Sequence, residues 1–542
     1  MVVSYLLCVG TSIAQQDSTR SLFTDTLLMD EFVISVKTAV RVHGDTTSYR
    51  VDSFITDPLA NTEDVLKRLP GVEVSRDGKI TIQGKPVNKM FINGKEYFSD
   101  DLRSVIQNLP AEILEKIEVA DYRDEDAVFT GNKETSNEKV INFQMKKKYS
   151  GGIYGRTAAG WGTQKRNQGG AFANYMDDNA FRLTLMGNLN NTGMSDAAGD
   201  NGNTSNNSWS NPGVRTEQKG NINFSYDKGK AFQLNGAYSF NNNNTYLERS
   251  SYRTTFLPYM QAGSIGDSSM LQASNNEQKS GNTTHNIFLR TRYKISPRMS
   301  LSTVANIQTA KQSLPRISND ITYEYNATTV SFDRRSISDN TRATSSYGLN
   351  NSLSKQFSKK GRTLLIRWNI NYSGNRSRGN IENTNNYYSP ESKTDVINTT
   401  SEEGNNINSV VNIYYTEPLG KHNNVSVSIN NIYNRSNNNK AVAVANAGVY
   451  SVDTNQSRSY KNINNNNNIG ITYQYSNEKI SGGVGFEMEP YSRKSLQAFG
   501  TGTDIIQTGI NYFPRLFSRY RVSKTSDISF SYNGGINPPN IS

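Results

Sequence analysis

The chain has 542 residues, a formal net charge of +11, an apolar fraction of 35% and a mean hydropathy of −0.67. Those values alone suit a solvated chain, but 30 Tyr and 21 Phe are more aromatic rings than such a chain carries. No run of about 18 apolar residues is present, which excludes a membrane-spanning helix. A membrane β-barrel satisfies both facts, because its strands need apolar side chains only at alternate positions.

In chain order, Val2 to Ile13 is a short apolar stretch ending in Ser12-Ile13-Ala14, with small residues at the two positions a signal peptidase reads but no basic start. Residues 1–14 are expected to be a signal-peptide remnant. The single cysteine, Cys8, lies inside it, and Tyr5-Leu6-Leu7 lacks the small residue expected before a lipidated cysteine. Removal of the segment leaves no thiol for a disulfide, a metal or a nucleophile. His43, His285 and His422 are far apart in sequence and suggest no zinc site. Residues 15–44 are polar and expected to be flexible. Within them Asp30-Glu31-Phe32-Val33-Ile34-Ser35-Val36 runs from acidic to apolar. It suits an edge strand, or a segment that a partner pairs with by β-augmentation.

From residue 45 to 149 the pattern is that of a small folded α+β domain. Asn61 or Thr62 caps a helix whose apolar stripe is Val65, Leu66 and Leu69, and Pro70-Gly71 stop it. Val72 and Val74 alternate with Glu73 and Ser75, Asp77-Gly78 turns, and Ile80 and Ile82 alternate back. Met90-Phe91-Ile92 leads to an Asn93-Gly94 turn. Ser99 caps a second helix with Leu102, Val105, Ile106 and Leu109 on one face, and Pro110 opens a short one carrying Ile113 and Leu114. A strand through Ile117 and Val119 follows. The acidic run Asp121 to Asp126 lacks the fixed spacing of a cation-binding loop and reads as solvated. Ile141, Phe143 and Met145 close the region by alternating with Asn142 and Gln144.

After residue 150 the texture is one of long alternating strands. Leu364, Ile366, Trp368, Ile370 and Tyr372 share one face, against Leu365, Arg367, Asn369, Asn371 and Ser373. Similar alternation covers Phe181 to Met186, Ile287 to Tyr293, Val425 to Asn430 and Ile469 to Tyr475. A soluble sandwich would show the same period, but two features favour a barrel. The polar face carries Asn, Arg, Gln and Ser as a hydrated lumen requires, and a tight turn at 176–179 contrasts with a long Asn/Ser/Gly-rich segment at 190–212. The Asn tracts at 241–244, 437–439 and 464–468 are read as a mixture of loop and lumen-facing positions with no binding role. The basic charge is spread along the chain without a nucleic-acid motif, so no nucleic-acid partner is expected; a basic exterior against anionic headgroups accounts for it equally well.

The α+β region also resembles a known family. Leu69-Pro70-Gly71-Val72, Ile80 to Gly84, Met90 to Gly94, Leu109-Pro110 and Ile113 to Val119 occur in the order seen in plug domains of TonB-dependent outer-membrane receptors. The stretches around Asp64 to Val74, Asp77 to Lys85 and Ile92 to Phe98 resemble, more narrowly, Bacteroidota outer-membrane β-barrel proteins of that superfamily. Tyr415 to Gly420 and Tyr512-Phe513-Pro514 resemble that group's barrel strands. The resemblance implies a plug motif of Leu69, Pro70, Gly71, Val72, Gly84, Asn93, Gly94, Leu109 and Pro110. It implies a barrel of about 22 strands occluded by the plug, and energy-coupled uptake of a glycan, metal chelate or peptide across the outer membrane. The implied partners are a TonB-type coupling protein, reached through Asp30 to Val36 as candidate TonB box, outer-membrane lipid, an extracellular ligand and a surface lipoprotein.

Three positions depart from the pattern. Gln83 stands where many plugs have Arg, Asp121 to Asp126 replaces a Gly-Pro turn, and the chain ends at Pro538 to Ser542 without a terminal aromatic strand. The 392 residues from 151 to 542 (542 − 150) hold roughly 14–16 strands at ~9–11 residues each plus connections. The expectation is therefore an incomplete, C-terminally truncated antiparallel barrel over 150–542, with a plug at 45–149. A non-transporting surface-binding or adhesion barrel is the alternative. No nucleophile elbow, metal-ligand spacing or phosphate loop points to an enzyme, and no cofactor is expected.

Overall fold

The computed structural model describes residues 38–43, 45–54, 57, 60–75, 79–97, 106, 109–121, 139–149, 151–177, 181–192, 213–229, 231–256, 269–323, 329–388, 390–446, 449–499, 503–523 and 526–536. The candidate TonB box, the signal-peptide remnant, Asp77-Gly78, most of the helix after Ser99 and Tyr122 to Asp126 lie outside them.

The N-terminal sheet has eight strands: β1 (Val40–His43), β2 (Thr46–Arg50), β3 (Val72–Val74), β4 (Ile80–Ile82), β5 (Lys85–Ile92), β6 (Lys95–Tyr97), β7 (Leu114–Asp121) and β8 (Lys139–Met145). Their order is β1-β2-β7-β8-β5-β4-β3, with β6 on β5. The β5–β8 pair is parallel. The sheet begins at Val40, inside the stretch expected to be a flexible leader. The helix α1 (Thr62–Leu66) is one turn long, so its ends matter more than its interior. Asn61 accepts from the Asp64 amide at 2.9 Å and Asp64 accepts from the Asn61 amide at 3.0 Å, a reciprocal capping box. Of the short helix expected after Pro110, Ala111–Ile113 forms a single 3₁₀ turn and Leu114 already belongs to β7, because the backbone is extended again there.

The alternating apolar residues meet as one core. Val65, Leu66, Ile82, Met90, Leu109, Leu114, Ile117, Ile141 and Phe143 are all buried in it. Ile106, from the partly described second helix, is buried there as well.

From Gly152 onward seventeen strands form a closed ring. Met299–Ser313 and Arg316–Tyr323 pair with the same two neighbours, Ser269–Ser296 and Val330–Gln356, so they are one stave interrupted at Leu314-Pro315. Proline lacks the N–H that an unbroken ladder needs there. Val449–Val452 and Arg458–Ser476 likewise follow one another along Asn423–Asn446. Seventeen strands less two interruptions give fifteen staves, within the range expected. The expectation of an incomplete ring is corrected: the sheet returns to its first strand. Barrel diameter falls with strand number, so fewer staves close a narrower ring. Fifteen staves alternating in direction bring the first strand, Gly152–Trp161, and the last, Asp527–Asn533, together in the same sense.

Register sorts the two faces. Directly opposed residues run Leu185, Ile222, Tyr238, Ile287, Ile307, Tyr347, Tyr372 and Ile407 across successive staves. One residue along each strand, the opposite face runs Met186, Asn221, Ser239, Asn286, Gln308, Ser346, Ser373, Asn406, Ser436 and Asn462. Met176, which packs into the N-terminal core, is opposed to Arg182 and so belongs to this polar face. The polar face is the inside, and Ile222, Ile287, Leu349, Trp368 and Ile469 are exposed on the outside. The Asn tracts, expected to lie partly in loops, all lie within strands (Phe232–Phe256, Asn423–Asn446 and Arg458–Ser476), because the ladder satisfies their backbone whatever the side chain.

Candidate functional site

The residues of the plug motif do local structural work. Leu69 and Val72 are buried, and between them Gly71 has φ +78°, with its carbonyl accepting from the Gln83 amide at 2.9 Å. The Tyr49 hydroxyl donates to the Pro70 carbonyl at 3.1 Å. Gln83 and Gly84 are both at positive φ, the geometry of a two-residue hairpin turn between β4 and β5. Thr62 donates to the Leu109 carbonyl through its amide at 2.9 Å and its hydroxyl at 2.7 Å, and Asn61 bridges Pro110, so α1 is clamped to the segment before β7.

Asn93-Gly94 is the most connected of these turns. The Asn93 amide donates to the Phe143 carbonyl at 2.8 Å, its side-chain oxygen accepts from the Met145 amide at 2.7 Å, and the Gly94 amide donates to Asn142 Oδ1 at 2.8 Å. Asn142 in turn donates to Glu118 at 2.8 Å. Burial alone would raise the Glu118 carboxyl, but bonds from Lys116, Asn142 and Gln144 and the Lys116 charge outweigh it and hold the pKa below the ordinary glutamate value. Asp121 is held below its ordinary value chiefly by the bond from Lys139 at 2.9 Å, with Lys85 adding at 3.5 Å. Of the expected acidic loop only Asp121 is described, and there it is an ion-paired strand end.

This sheet meets the inner wall of the barrel. Arg182 Nη1 donates to the Ile92 carbonyl at 2.8 Å, one residue before the Asn93-Gly94 turn. Met176 is buried in the plug core and Tyr154 packs against it, so three adjacent staves hold the plug through inward side chains.

About midway along the strands, the inner wall forms a cavity of about 510 Å³ lined by Gln308, Arg342, Ser346, Asn406, Asn438 and Asn462, among others. The side-chain oxygens of Asn406, Asn438 and Asn462 are buried and have no hydrogen-bond partner among the described residues. Arg342 is steadied by donating to Asn375 Oδ1 at 2.9 Å. The cavity is therefore bordered by amides and hydroxyls with one cation, Arg342. Among the described residues no group of three or more His, Cys, Asp or Glu is placed to hold a metal.

None of the plug-motif residues lines this cavity. The cavity residues carry no motif, and only their alternation in sequence could have marked them as a face. Which asparagines would be neighbours depends on the stagger between strands, which alternation does not fix.

The molecule is an antiparallel β-barrel with a small α+β domain bonded to its inner wall. Residues 355–542 match a model of the outer membrane protein beta-barrel family. No curated protein matches the chain. Among solved structures, the chain is similar to the alcaligin outer-membrane receptor FauA of Bordetella pertussis, at 10% identity over 92% of this chain and 93% of that one, TM-score 0.21. It is also similar to the ferric-catecholate import receptor Fiu of E. coli, at 12% identity over 91% and 92%, TM-score 0.21. The siderophore receptor PirA of Pseudomonas aeruginosa gives 9% identity over 91% and 96%, TM-score 0.24. At that level of superposition nothing about ligand or partner passes from them to this chain.

Proposed function

We propose that the protein is a TonB-dependent outer-membrane receptor that takes up a solute through its plugged lumen. The observation that carries this reading is the plug sheet bonded to the inner wall, with a polar cavity higher on the same wall. A structure of that kind is closed at rest, so passage requires the plug to move. The Arg182 bond to the Ile92 carbonyl and the apolar packing of Tyr154 and Met176 are the contacts that work applied from the periplasm would have to break. The residues Asp30 to Val36 are the segment through which a coupling protein would pull by β-augmentation.

Two measurements test the reading together. The periplasmic domain of TonB should be retained by the full chain and lost when residues 30–36 are deleted. Cells lacking the gene should lose uptake of a glycan, metal chelate or peptide when that solute limits growth. Retained uptake under every limitation, with no TonB binding, would instead support the non-transporting surface barrel.

A further inference from the structure

The outer face of the barrel carries a second hollow, of about 550 Å³, lined by residues that include His285, Thr309, Lys311, Arg376 and Asn405. Register places it outside. His285, Thr309, Ser345, Gly374 and Asn405 are opposed in one row, two residues on from the apolar row Ile287, Ile307, Tyr347, Tyr372 and Ile407. Residues two apart on a strand share a face. Thr283, Lys311, Ala343, Arg376 and Glu403 form the next row in the direction of the long connections. The hollow thus begins where the lipid-facing apolar surface ends.

Glycine makes the space. A Cβ on Gly374 would lie 3.0 Å from both Ser345 Oγ and Tyr372 Oη, so any side chain there would fill the floor. Lys311 and Arg376 supply positive charge above it. The basic border continues round the barrel: Arg435 is opposed to Ile407, and Lys461 to Asn437. The Arg435 Nε is buried with no partner among the described residues. Glu403 is the one carboxylate in the two rows that form the hollow. His285 is fixed at the rim by the Tyr238 hydroxyl, 2.9 Å from its Nδ1.

We propose that this hollow binds the phosphate-bearing headgroup of a lipid in the leaflet surrounding that end of the barrel. Phosphate oxygens would accept from Lys311, Arg376 and the Thr309 and Ser345 hydroxyls. The acyl chains would lie along Tyr372, Tyr347 and Ile307 directly below. That continuity favours a lipid over a free anion, since only a lipid covers both the charged hollow and the apolar row. It also gives the dispersed basic charge of the sequence a physical role. The inference stands whether or not the barrel transports.

The test uses the purified full chain in neutral detergent, titrated with diphosphoryl lipid A, the same lipid with its phosphates removed, and inorganic phosphate, with bound lipid read by native mass spectrometry. The phosphorylated lipid should bind, and the dephosphorylated one should bind at least about fivefold more weakly. The double variant Lys311→Gln/Arg376→Gln should lose about 25-fold, at about fivefold per cation. Gly374→Leu, which adds bulk and no charge, should reduce binding as well. Lys355→Gln, on the same face at the short-turn end, should leave it unchanged. Equal binding of the two lipids by the unaltered protein overturns the proposal without any variant having to fold. Full competition by inorganic phosphate, or an equal loss in Lys355→Gln, would overturn it too.

Discussion

Asn93 ties the β5–β6 turn to β8 through both its backbone and its side chain. It holds φ +51°, uncommon for a side chain other than glycine, and its amide and side-chain oxygen bind β8 at Phe143 and Met145. The Met145 amide is part-buried, so losing its acceptor leaves that donor without its protein partner. Replacing Asn93 by Ala should cost about 1–3 kcal/mol locally. Amide exchange at Met145 and at position 93 itself should accelerate while barrel amides stay protected. If exchange at these two positions were unchanged, the turn would not be what pins β8. Gln83-Gly84 is the comparison: both residues are at positive φ, but beyond β4 and β5 the turn is tied through the Gln83 amide to the Gly71 carbonyl and not to β8.

At the scale of elements, β7 carries two carboxylates whose pKa values lie below the ordinary 4.5 of glutamate and 3.8 of aspartate. A depressed folded-state pKa means stability that is complete above the unfolded value and lost as pH falls through the folded one. Protection of the β7–β8 amides, corrected for intrinsic exchange, should stay level from neutral pH to about 4.5 and then fall. Both groups are partly solvated, so each should contribute less than about 1 kcal/mol. Glu118→Gln should flatten the upper part of that fall; a protection profile identical to the parent would show that the Glu118 bonds contribute nothing net.

The same element shows what sequence can reveal. The alternation of Ile117 and Val119, a cap at Asn61 or Thr62 and the stop at Pro70-Gly71 are local properties and were legible, whereas Leu114 reads as helical and is strand. The parallel pairing of β5 with β8 across some fifty residues was not, because neither strand encodes its partner. The barrel divides in the same way. Faces follow from period-2 alternation, as Leu364 to Ser373 shows, whereas the meeting of Asn406, Ser436 and Asn462 depends on stagger. The break at Leu314-Pro315, with the chain resuming on the same stave beyond it, is seen only in the pairing of the strands.

For the molecule as a whole, the argument turns on which face of the wall meets water. The longest strands have 28 residues, whereas a bilayer needs ~9–11 tilted residues, so the outer face must pass from lipid to solvent along each strand while the inner face stays wet throughout. The transition falls near Tyr347, Tyr372 and Ile407. Cysteine scanning tests it cleanly, since Cys8 is the chain's one thiol and Cys8→Ser removes it. With protein embedded in membranes, a membrane-impermeant maleimide applied to both sides should label cysteine at Arg367, Asn369 and Asn371. It should spare cysteine at Ile366, Trp368 and Ile370. Past Tyr372, toward the long connections, both parities should label, because the outer face there has left the hydrocarbon. A uniform pattern from 366 to 371 would mean that the apolar face is not in lipid. Labelling of the apolar set with sparing of Arg367, Asn369 and Asn371 would mean that the barrel is inside out relative to the register. Only alternation that ends near Tyr372 is consistent with a wet lumen inside, lipid outside, and a headgroup boundary at the level of Lys311 and Arg376.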